Sequence, residues 1–473
     1  MLFDGALPSS KQAERLSRTE QNNRRVQQLR ASYATGACPI PTYLGSTSYA
    51  FLAPSLREAL ARSSFAAKAQ IVPGEADDFC GLKAKDVPRS IIFTSDTDLL
   101  LFNYHPETLI VLFKDIDSVK SFKAYSPQQI AQKLQLTSLV PFAWVISQRT
   151  SEGQNELACD ARSVDIHSSL YTDFSQRYTE PGITPTYIGK CPPLELSLQA
   201  LDVRVFEFVH ESLLGSSRIT VHLPLLVEDS NQASAWNMAQ DIRIFAYSLL
   251  APPASNVHEY RRKAQGISSQ PISTYTSTNL AVPAKDVEAR MSALHRWAKS
   301  KIIDPTLLWT LFALGVVLAE LNTPPPLQML LRVLNAEFDN TWAFLQLTAR
   351  VQASMYSLRM LKQIIAIRLA TNQTVVPGLS EYLSDIDKHM STFPAIPDMF
   401  SVPGQSKRVL AEHGALTEYM KEIYSSAGVE FPVEHVSNKR KKKQAREAER
   451  KQKKADQRQQ LRSTSSNTFS VLD

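Results

Sequence analysis

Residues 69–102 read AQIVPGEADDFCGLKAKDVPRSIIFTSDTDLLLF, and this stretch decides the fold class. Its two short apolar runs, Ala69–Val72 and Ile91–Phe93, have the composition of buried strands. A Pro-Gly pair turns the chain after the first run, and we expect a helix to begin at Glu75. Strands that alternate with helices predict a parallel-sheet α/β domain.

The alternation continues on the C-terminal side of this stretch. A third strand is predicted at Thr108–Phe113 and a helix at Pro127–Leu134, and we assign Asp115 and Asp117 to the loop between them. From about Leu194, apolar residues recur at three- and four-residue spacing, which predicts long helices. These segments are Leu196–Leu214, Trp236–Leu250, Val287–Ile303, Pro305–Leu321 and Trp342–Ala370.

The chain is therefore expected to have three parts. Residues 1–150 form the α/β domain, residues 151–435 form a mainly helical region, and residues 436–473 form a basic, disordered tail with too little apolar surface to fold alone. The segment 439–462 holds twelve Lys and Arg against three acidic residues, a charge of +9. Since the whole chain carries +6, the remainder carries −3, and the basicity belongs to the tail.

The tail contains an uninterrupted basic run at Lys439, Arg440, Lys441, Lys442 and Lys443. Such runs are typical of nuclear import signals and of patches that bind nucleic acid without sequence preference. The run predicts a nuclear protein whose nucleic-acid binding weakens with salt. A solvated helical tail is the alternative, because the residues that follow are helix formers with interspersed Glu.

Composition excludes several other classes. With 43% hydrophobic and 21% charged residues, the chain has the composition of a soluble globular protein. Its longest apolar run, Thr306–Leu321, is shorter than the roughly 20 residues of a membrane helix and predicts a core helix, so no membrane partner is expected. The four cysteines lack metal-ligand spacing, which argues against a zinc site or a disulfide framework. The opening residues include Asp4 and do not predict secretion.

Acidic residues occur at three points that the predicted fold could bring together. They are Asp4, Glu75 with Asp77 and Asp78, and Asp96 with Asp98. Carboxylates at the ends of adjacent parallel strands meet at one edge of a sheet, and phosphodiester hydrolysis with Mg²⁺ needs such a group. Each also has an ordinary structural explanation: a turn residue before glycine, or acidic side chains in the first turn of a helix.

The order and spacing of these groups resemble a known family. Phe3-Asp4-Gly5, Gly74-Glu75-Ala76-Asp77 and Ser95-Asp96-Thr97-Asp98 are similar to the motif series of the flap-endonuclease/XPG superfamily. The resemblance implies an incomplete PIN-like nuclease domain and a cofactor of Mg²⁺ or Mn²⁺. It implies that the metal ligands are Asp4, Glu75, Asp77, Asp96 and Asp98, and that the catalytic residues are Asp96, Asp98, Glu75 and Asp77.

A second resemblance concerns a later segment. Asp241–Ile267 is similar to the asteroid branch of the superfamily, in which a helix is followed by a motif like Glu259-Tyr260-Arg261-Arg262. Without the resemblance, a core helix with a polar cap explains the segment. The resemblance therefore indicates the asteroid branch of the superfamily but implies no further catalytic or binding residues.

Basic residues near the start of the chain share one face of a predicted helix. They are Lys11, Arg15, Arg18 and Arg25, at offsets of four, three and seven. In the superfamily this stretch arches over the active site, and Lys11 and Arg18 match its phosphate-contacting positions, which implies a nucleic-acid partner, with DNA favoured over RNA. A solvated helix surface is the alternative, since Glu14 and Glu20 lie nearby.

The chain departs from the superfamily at two places. Members begin with a further strand that carries a catalytic Asp, and we expect this strand to be missing here. Its absence would leave an exposed sheet edge or a gap in the core. A Gly-x-Asp-Tyr motif and a DNA-binding hairpin are expected after about residue 135, where the apolar Leu139–Ser147 stands instead, with Asp160 as a weak substitute acid. Fewer carboxylates hold two dications less well, so cleavage is expected to be impaired.

Three functions are consistent with these patterns. The first is a divalent-metal-dependent, structure-specific nuclease that hydrolyses DNA. The second is a non-catalytic nucleic-acid-binding protein that has kept the same fold and the basic tail. The third is an interaction scaffold built on the helical half, for which no motif indicates a protein partner.

Overall fold

A computed structural model describes most of the chain. The described residues are 1–8, 11–33, 51–118, 121–149, 153–179, 192–339, 341–371, 378–399 and 404–426, with 428, 430 and 431. The predicted tail at 436–473, including Lys439, Arg440, Lys441, Lys442 and Lys443, lies outside these residues.

The first part of the chain contains two small sheets that carry the acidic residues. Strand β1 (Leu2–Phe3) pairs in parallel with β2 (Gln70–Ile71). In the second sheet, β3 (Ile91–Thr94) pairs in parallel with β4 (Leu109–Ser118), and β4 pairs antiparallel with β5 (Ser121–Tyr125). The predicted sheet is thus divided in two, because within the described residues neither β1 nor β2 pairs with β3.

Helices dominate the rest of the described chain. Those around the two sheets are α1 (Gln12–Ser32), α2 (Leu52–Ala61), α3 (Ala76–Ala84), α4 (Pro127–Lys133), α5 (Val140–Gln148), α6 (Gln154–Arg162) and α7 (Ser169–Thr179). The later ones are α8 (Pro192–Gln199), α9 (Val203–Leu214), α10 (Gln240–Ser248), α11 (Ala281–Lys301), α12 (Pro305–Glu320), α13 (Leu327–Leu334), α14 (Trp342–Ala370), α15 (Leu379–His389), α16 (Gln405–His413) and α17 (Ala415–Ser426). No helix in the described ranges is both long and apolar enough to span a membrane.

These elements confirm the predicted fold class, an α/β part followed by a mostly helical region. The predicted helix at Pro305–Leu321 is α12, whose start is capped by the Asp304 carboxylate, which accepts a hydrogen bond from Thr306 N at 2.9 Å. The predicted helix at Leu196–Leu214 is two helices, because Asp202 caps a new start at α9. The domain boundary at residue 150 stays a prediction.

Two assignments from the sequence were wrong. Asp115 and Asp117, expected in a loop, lie within β4, where Tyr125 Oη donates to Asp115 Oδ2 at 2.8 Å. A third sheet was missed altogether: β6 (Ile219–His222) pairs in parallel with β7 (Asn256–Lys263), which pairs antiparallel with β8 (Gly266–Ser273). Its central strand β7 carries charged residues, so an alternating or apolar strand pattern does not mark it.

Most of the apolar core belongs to one large cluster. It extends from Ile71 of the first sheet and Ala6, just after β1, to α14, whose Met355, Leu358 and Leu361 are fully buried. A smaller aromatic cluster lies under the end of β3 and includes Leu99 and Phe102, with Tyr171 and Tyr178 of α7. The first sheet is therefore packed against the helical region, and α7 is packed beneath the second sheet.

A buried histidine at the end of β6 is expected to make stability depend on pH. The His222 ring stacks on Tyr260 at 4.6 Å between centroids, and its Nε2 has no hydrogen-bond partner among the described residues. Burial, aided by the positive charges of Arg15 and Arg204, lowers the pKa of His222 from 6.5 to about 4. The unfolded chain therefore binds a proton between these values while the folded chain does not, and stability falls as the pH falls.

We expect the free energy of unfolding to drop by about 2 kcal/mol from pH 7.5 to pH 5 through this residue alone. The variant His222→Phe keeps an aromatic ring in the stack but cannot titrate, so its loss over the same interval should be smaller by that amount. Urea unfolding at the two pH values measures the difference. Equal losses in both proteins would show that His222 does not contribute.

Candidate functional site

The first acidic residue is placed by the pairing of β1 with β2. Beyond the two strands, Gly5 N donates to the Gly74 carbonyl oxygen at 2.8 Å, which extends the ladder past Asp4. Asp4 Oδ1 then accepts a hydrogen bond from Ala76 N at 2.8 Å, at the first turn of α3. Asp4 therefore joins the end of β1 to the start of the helix that carries the next acidic residues.

Helix α3 begins at the second acidic group. Glu75 is the residue before its first turn, and Asp77 and Asp78 lie within that turn, where the helix dipole favours negative charge. Glu75 Oε2 is 2.5 Å from Lys11 Nζ, and only 12% of the Glu75 side chain is exposed. Asp77 and Asp78 are half-buried.

The third acidic group follows β3 in a tight turn. Asp96 N donates to Thr94 Oγ1 at 2.9 Å, and Asp98 N donates to Asp96 Oδ1 at 3.0 Å. The turn continues into a single 3₁₀ turn over Thr97–Leu100, whose Leu99 is buried in the aromatic cluster. The buried leucine anchors the turn, and Asp96 is exposed to solvent.

A residue that the sequence did not single out lies among these carboxylates. The Arg177 guanidinium of α7 is within ion-pair distance of three of them: 3.3 Å from Glu75 Oε2, 3.6 Å from Asp98 Oδ2 and 3.9 Å from Asp77 Oδ2. The three contacts come from two segments of the chain, the start of α3 and the turn after β3. We define the acidic cluster as Asp4, Glu75, Asp77, Asp78, Asp96 and Asp98.

The acidic cluster holds more negative charge than its neighbouring cations can neutralise. Among the described residues, two cations lie within ion-pair distance of its six carboxylates: Lys11 contacts Glu75, and Arg177 contacts Glu75, Asp77 and Asp98. Burial raises the pKa of Asp77 to about 6, and repulsion from Asp96 and Asp4 adds to the increase, with Arg177 and Lys11 opposing it. The shift has burial as its main cause, and the repulsion between carboxylates adds to it.

Asp78 lies in a similar environment. Burial, followed by repulsion from Glu75, raises its pKa, and its Oδ1 atom is buried without a hydrogen-bond partner among the described residues. An unpaired buried oxygen costs free energy unless a proton or a cation satisfies it. Two of the six carboxylates are thus held in an environment that opposes their ionisation.

The cluster fits a hard divalent cation by its chemistry, since Mg²⁺ and Mn²⁺ prefer carboxylate oxygens. Its present arrangement is centred on Arg177 instead. In the part of the chain that the structure describes, no three His, Cys, Asp or Glu side chains converge closely enough to hold an ion. The five predicted ligands lie in one region of the molecule without converging at ligand distances, and their role as ligands stays a prediction.

The predicted basic helix face has several partners inside the protein. Lys11 pairs with Glu75, whereas Arg15 Nη1 is 2.5 Å from Glu207 Oε1 of α9. Arg18 pairs with Glu14 on the exposed surface, and Arg25 Nη1 donates to Asn22 Oδ1 at 3.3 Å. Their contacts with nucleic acid stay predictions.

Further along α1, other side chains fasten the helix to the second half of the chain. Asn23 Nδ2 donates to the Gln265 carbonyl oxygen at 2.9 Å, in the turn between β7 and β8. Arg30 Nε is 2.6 Å from Asp229 Oδ1. This helix is therefore packed on the protein body, and Lys11 at its N-terminal end is the member of the basic face that contacts the acidic cluster.

Two further predicted positions lie elsewhere. Asp160, considered as a substitute acid, pairs with Arg149 at 2.7 Å on the exposed surface. The motif Glu259 to Arg262 is part of strand β7 and is not a polar helix cap. Its Glu259 side chain is fully buried and accepts from Arg243 Nε at 2.6 Å, so the segment serves the core.

Arg177 was missed because its environment depends on the tertiary fold. The helix around it carries aromatic residues at positions 171, 174 and 178, a spacing that predicts a buried face. This pattern places Arg177 beside the buried face but does not identify what lies opposite. The carboxylates that it contacts are far away in the sequence, Glu75 by 102 residues.

Comparison with known proteins gives one match. Residues 48–274 match a protein family described as XPG domain containing, a range that includes Arg177 and all three strands of the third sheet. No curated protein and no solved structure matches the chain. The family match, together with the acidic residues that gather at the ends of β1 and β3, supports the XPG/flap-endonuclease superfamily for this part of the chain.

Proposed function

We propose that this protein is a divalent-metal-dependent, structure-specific nuclease-like protein that acts on DNA. The observation that carries the proposal is the acidic cluster, in which six carboxylates come from three segments while two cations of the described chain, Lys11 and Arg177, pair with members of it. A surplus of negative charge in a half-buried site is unfavourable for folding and is relieved when a cation binds. An XPG-type domain supports nucleic acid as the partner.

The finer assignment within the superfamily is also a proposal. We place the chain in the asteroid group, on the similarity of Asp241–Ile267 to that branch. In this chain the segment comprises helix α10 and strand β7, joined by the buried pair of Arg243 and Glu259. The pair gives the segment a structural role in the core of this chain.

Each predicted residue has a role in the proposal. Asp4, Glu75, Asp77, Asp96 and Asp98 would hold Mg²⁺ or Mn²⁺, which supplies an activated water and charge stabilisation of the leaving oxygen. Lys11 lies beside Glu75 and can draw a phosphate toward the cluster. The exposed Arg18, with Arg15 and Arg25, would extend this attraction along the DNA backbone.

The nuclease hypothesis is tested by measuring cleavage of branched and duplex DNA in the presence of Mn²⁺, with EDTA-treated samples as the blank. We expect Asp96→Ala/Asp98→Ala to lower Mn²⁺-dependent cleavage by at least about a hundredfold, because it removes two carboxylates from the proposed ligand set. A matched control is Asp115→Ala/Asp117→Ala, which removes two aspartates at the same spacing from β4 and should leave cleavage unchanged. Equal cleavage by wild type and the Asp96/Asp98 variant would reject the nuclease.

A second candidate is a non-catalytic nucleic-acid-binding protein with the same fold. Arg177 favours it, because an internal cation already pairs with three of the proposed ligands. In this case the basic tail supplies the affinity, and nuclear import through Lys439–Lys443 would place the protein with its DNA. Deletion of residues 439–462 should then weaken DNA binding, with a smaller salt dependence, while Mn²⁺ produces no cleavage in any variant.

A further inference from the structure

The position of Arg177 is set by packing that does not involve the acidic cluster. Tyr178, its neighbour on α7, meets Phe102 edge to face at 5.3 Å between ring centroids. One turn earlier, Phe174 packs on Trp144 at 5.3 Å. These aromatic contacts fix α7 against the core, and the Arg177 side chain reaches from this anchored helix into the cluster.

The guanidinium is shared among its partners and is not tightly bound to any of them. Its distances to Glu75, Asp98 and Asp77 are 3.3, 3.6 and 3.9 Å, and only the contact with Glu75 is a hydrogen bond. A tight pair elsewhere in the molecule differs clearly: Arg243 donates to both Glu259 oxygens, at 2.6 and 3.2 Å. The Arg177 Nε atom is buried and has no hydrogen-bond partner in the described part of the chain.

A guanidinium in this position does electrostatically what a bound cation would do. It reduces the repulsion among three carboxylates that come from α3 and from the turn after β3. It also repels any second cation that approaches the same oxygens. The carboxylate oxygens of the cluster are suited to a divalent cation, but in this structure three of them contact Arg177.

We propose that Arg177 is a built-in counter-cation of the acidic cluster, which a divalent cation must displace from Glu75, Asp77 and Asp98 in order to bind. The inference rests on the proposed function and concerns how metal binding at the acidic cluster is regulated. Arg177 stabilises the fold without metal and lowers the affinity for metal. Because its contacts are long and shared, displacement needs only a rotation of the side chain and no movement of α7.

The test is isothermal titration calorimetry of the EDTA-treated full chain with Mn²⁺, combined with thermal unfolding. We expect Arg177→Gln to bind Mn²⁺ about tenfold more tightly than wild type, because a unit positive charge close to the dication is removed. Without metal, this variant should unfold at a lower temperature, and Mn²⁺ should raise its unfolding temperature more than that of wild type. The control Arg149→Gln removes an arginine that pairs with Asp160 on the surface, and its affinity should equal that of wild type.

A second variant keeps the test valid if Arg177→Gln does not fold. Arg177→Lys retains the charge on a shorter side chain, and its affinity should lie between those of wild type and Arg177→Gln. Affinities of both Arg177 variants equal to or below that of wild type overturn the inference, as does the absence of Mn²⁺ binding by every protein.

Cleavage assays on the same samples separate the inference from the proposed function. Tighter Mn²⁺ binding by Arg177→Gln without DNA cleavage by any variant supports the inference and rejects the nuclease. Cleavage by wild type with unchanged Mn²⁺ affinity in the variants supports the nuclease and rejects the role of Arg177.

Discussion

Replacement of Arg243 by alanine is expected to destabilise the protein by about 3–5 kcal/mol, the usual cost of breaking a buried ion pair from one side. Arg243 and Glu259 are both fully buried, and two hydrogen bonds join them. The remaining donors of Arg243 bind Ser357 Oγ at 3.0 Å and the carbonyl oxygens of Met238 and Trp236 at 3.0 and 2.7 Å. The substitution leaves the Glu259 carboxylate without its main partner in a dry environment.

Urea unfolding of Arg243→Ala, Glu259→Ala and the double variant Arg243→Met/Glu259→Leu measures the effect. Each single variant should lose most of the expected free energy, and the double variant should lose much less than the sum, because neither charge remains buried. The matched control is the exposed pair of Glu14 and Arg18, where Glu14→Ala should cost no more than about 0.5 kcal/mol. A cost below about 1 kcal/mol for Arg243→Ala would contradict the prediction.

Substitution of Gly5 by alanine is expected to destabilise the protein by about 3 kcal/mol and to displace Asp4 from the acidic cluster. A Cβ atom on Gly5 would lie 2.0 Å from the Val72 carbonyl oxygen and 3.1 Å from the Phe206 ring. The carbonyl belongs to the chain that pairs with β1, so the pairing must open to make room. Since the adjacent Asp4 caps Ala76, the opening also moves the first carboxylate.

The control for this prediction is Gly315, which lies within α12. A Cβ atom there meets nothing within 4 Å, so Gly315→Ala should stabilise the protein by about 0.5–1 kcal/mol through helix propensity. Urea unfolding of Gly5→Ala and Gly315→Ala measures the two changes in stability. Mn²⁺-dependent DNA cleavage by Gly5→Ala tests whether the displacement of Asp4 affects the acidic cluster. A Gly5→Ala protein as stable as wild type would show that β1 and β2 tolerate separation at this point.

The sequence predicted those features that depend on neighbouring residues. The strands at Ala69–Val72 and Ile91–Phe93, the helix start at Glu75 and the long helix at Trp342–Ala370 all follow from local apolar spacing and turn residues, and all are present. Acidic residues directly after strands were likewise visible, because the ends of strands are marked in the sequence. The resemblance to the superfamily rested on the order and spacing of these acidic groups along the chain.

The third sheet could not be predicted in the same way. Strand β7 carries Glu259, Arg261 and Arg262, which read as polar surface, although the structure buries all three. Burial is tolerated because each charge has a partner from another element, such as Glu228, whose Oε1 is 2.5 Å from Arg262 Nε. Such partners are assembled only by the tertiary fold, so no local pattern marks this strand as buried.

The sequence alone determined that acidic residues follow β3 and begin α3, since strand ends and helix starts are local features, whereas the pairing that makes Leu2–Phe3 a strand before Asp4 appears only in the structure. Only the tertiary structure decided what stands between them. Arg177 meets Glu75, 102 residues away, because an aromatic face holds α7 under the second sheet. A long-range contact of this kind depends on how separate elements pack, and packing is a property of the folded chain as a whole.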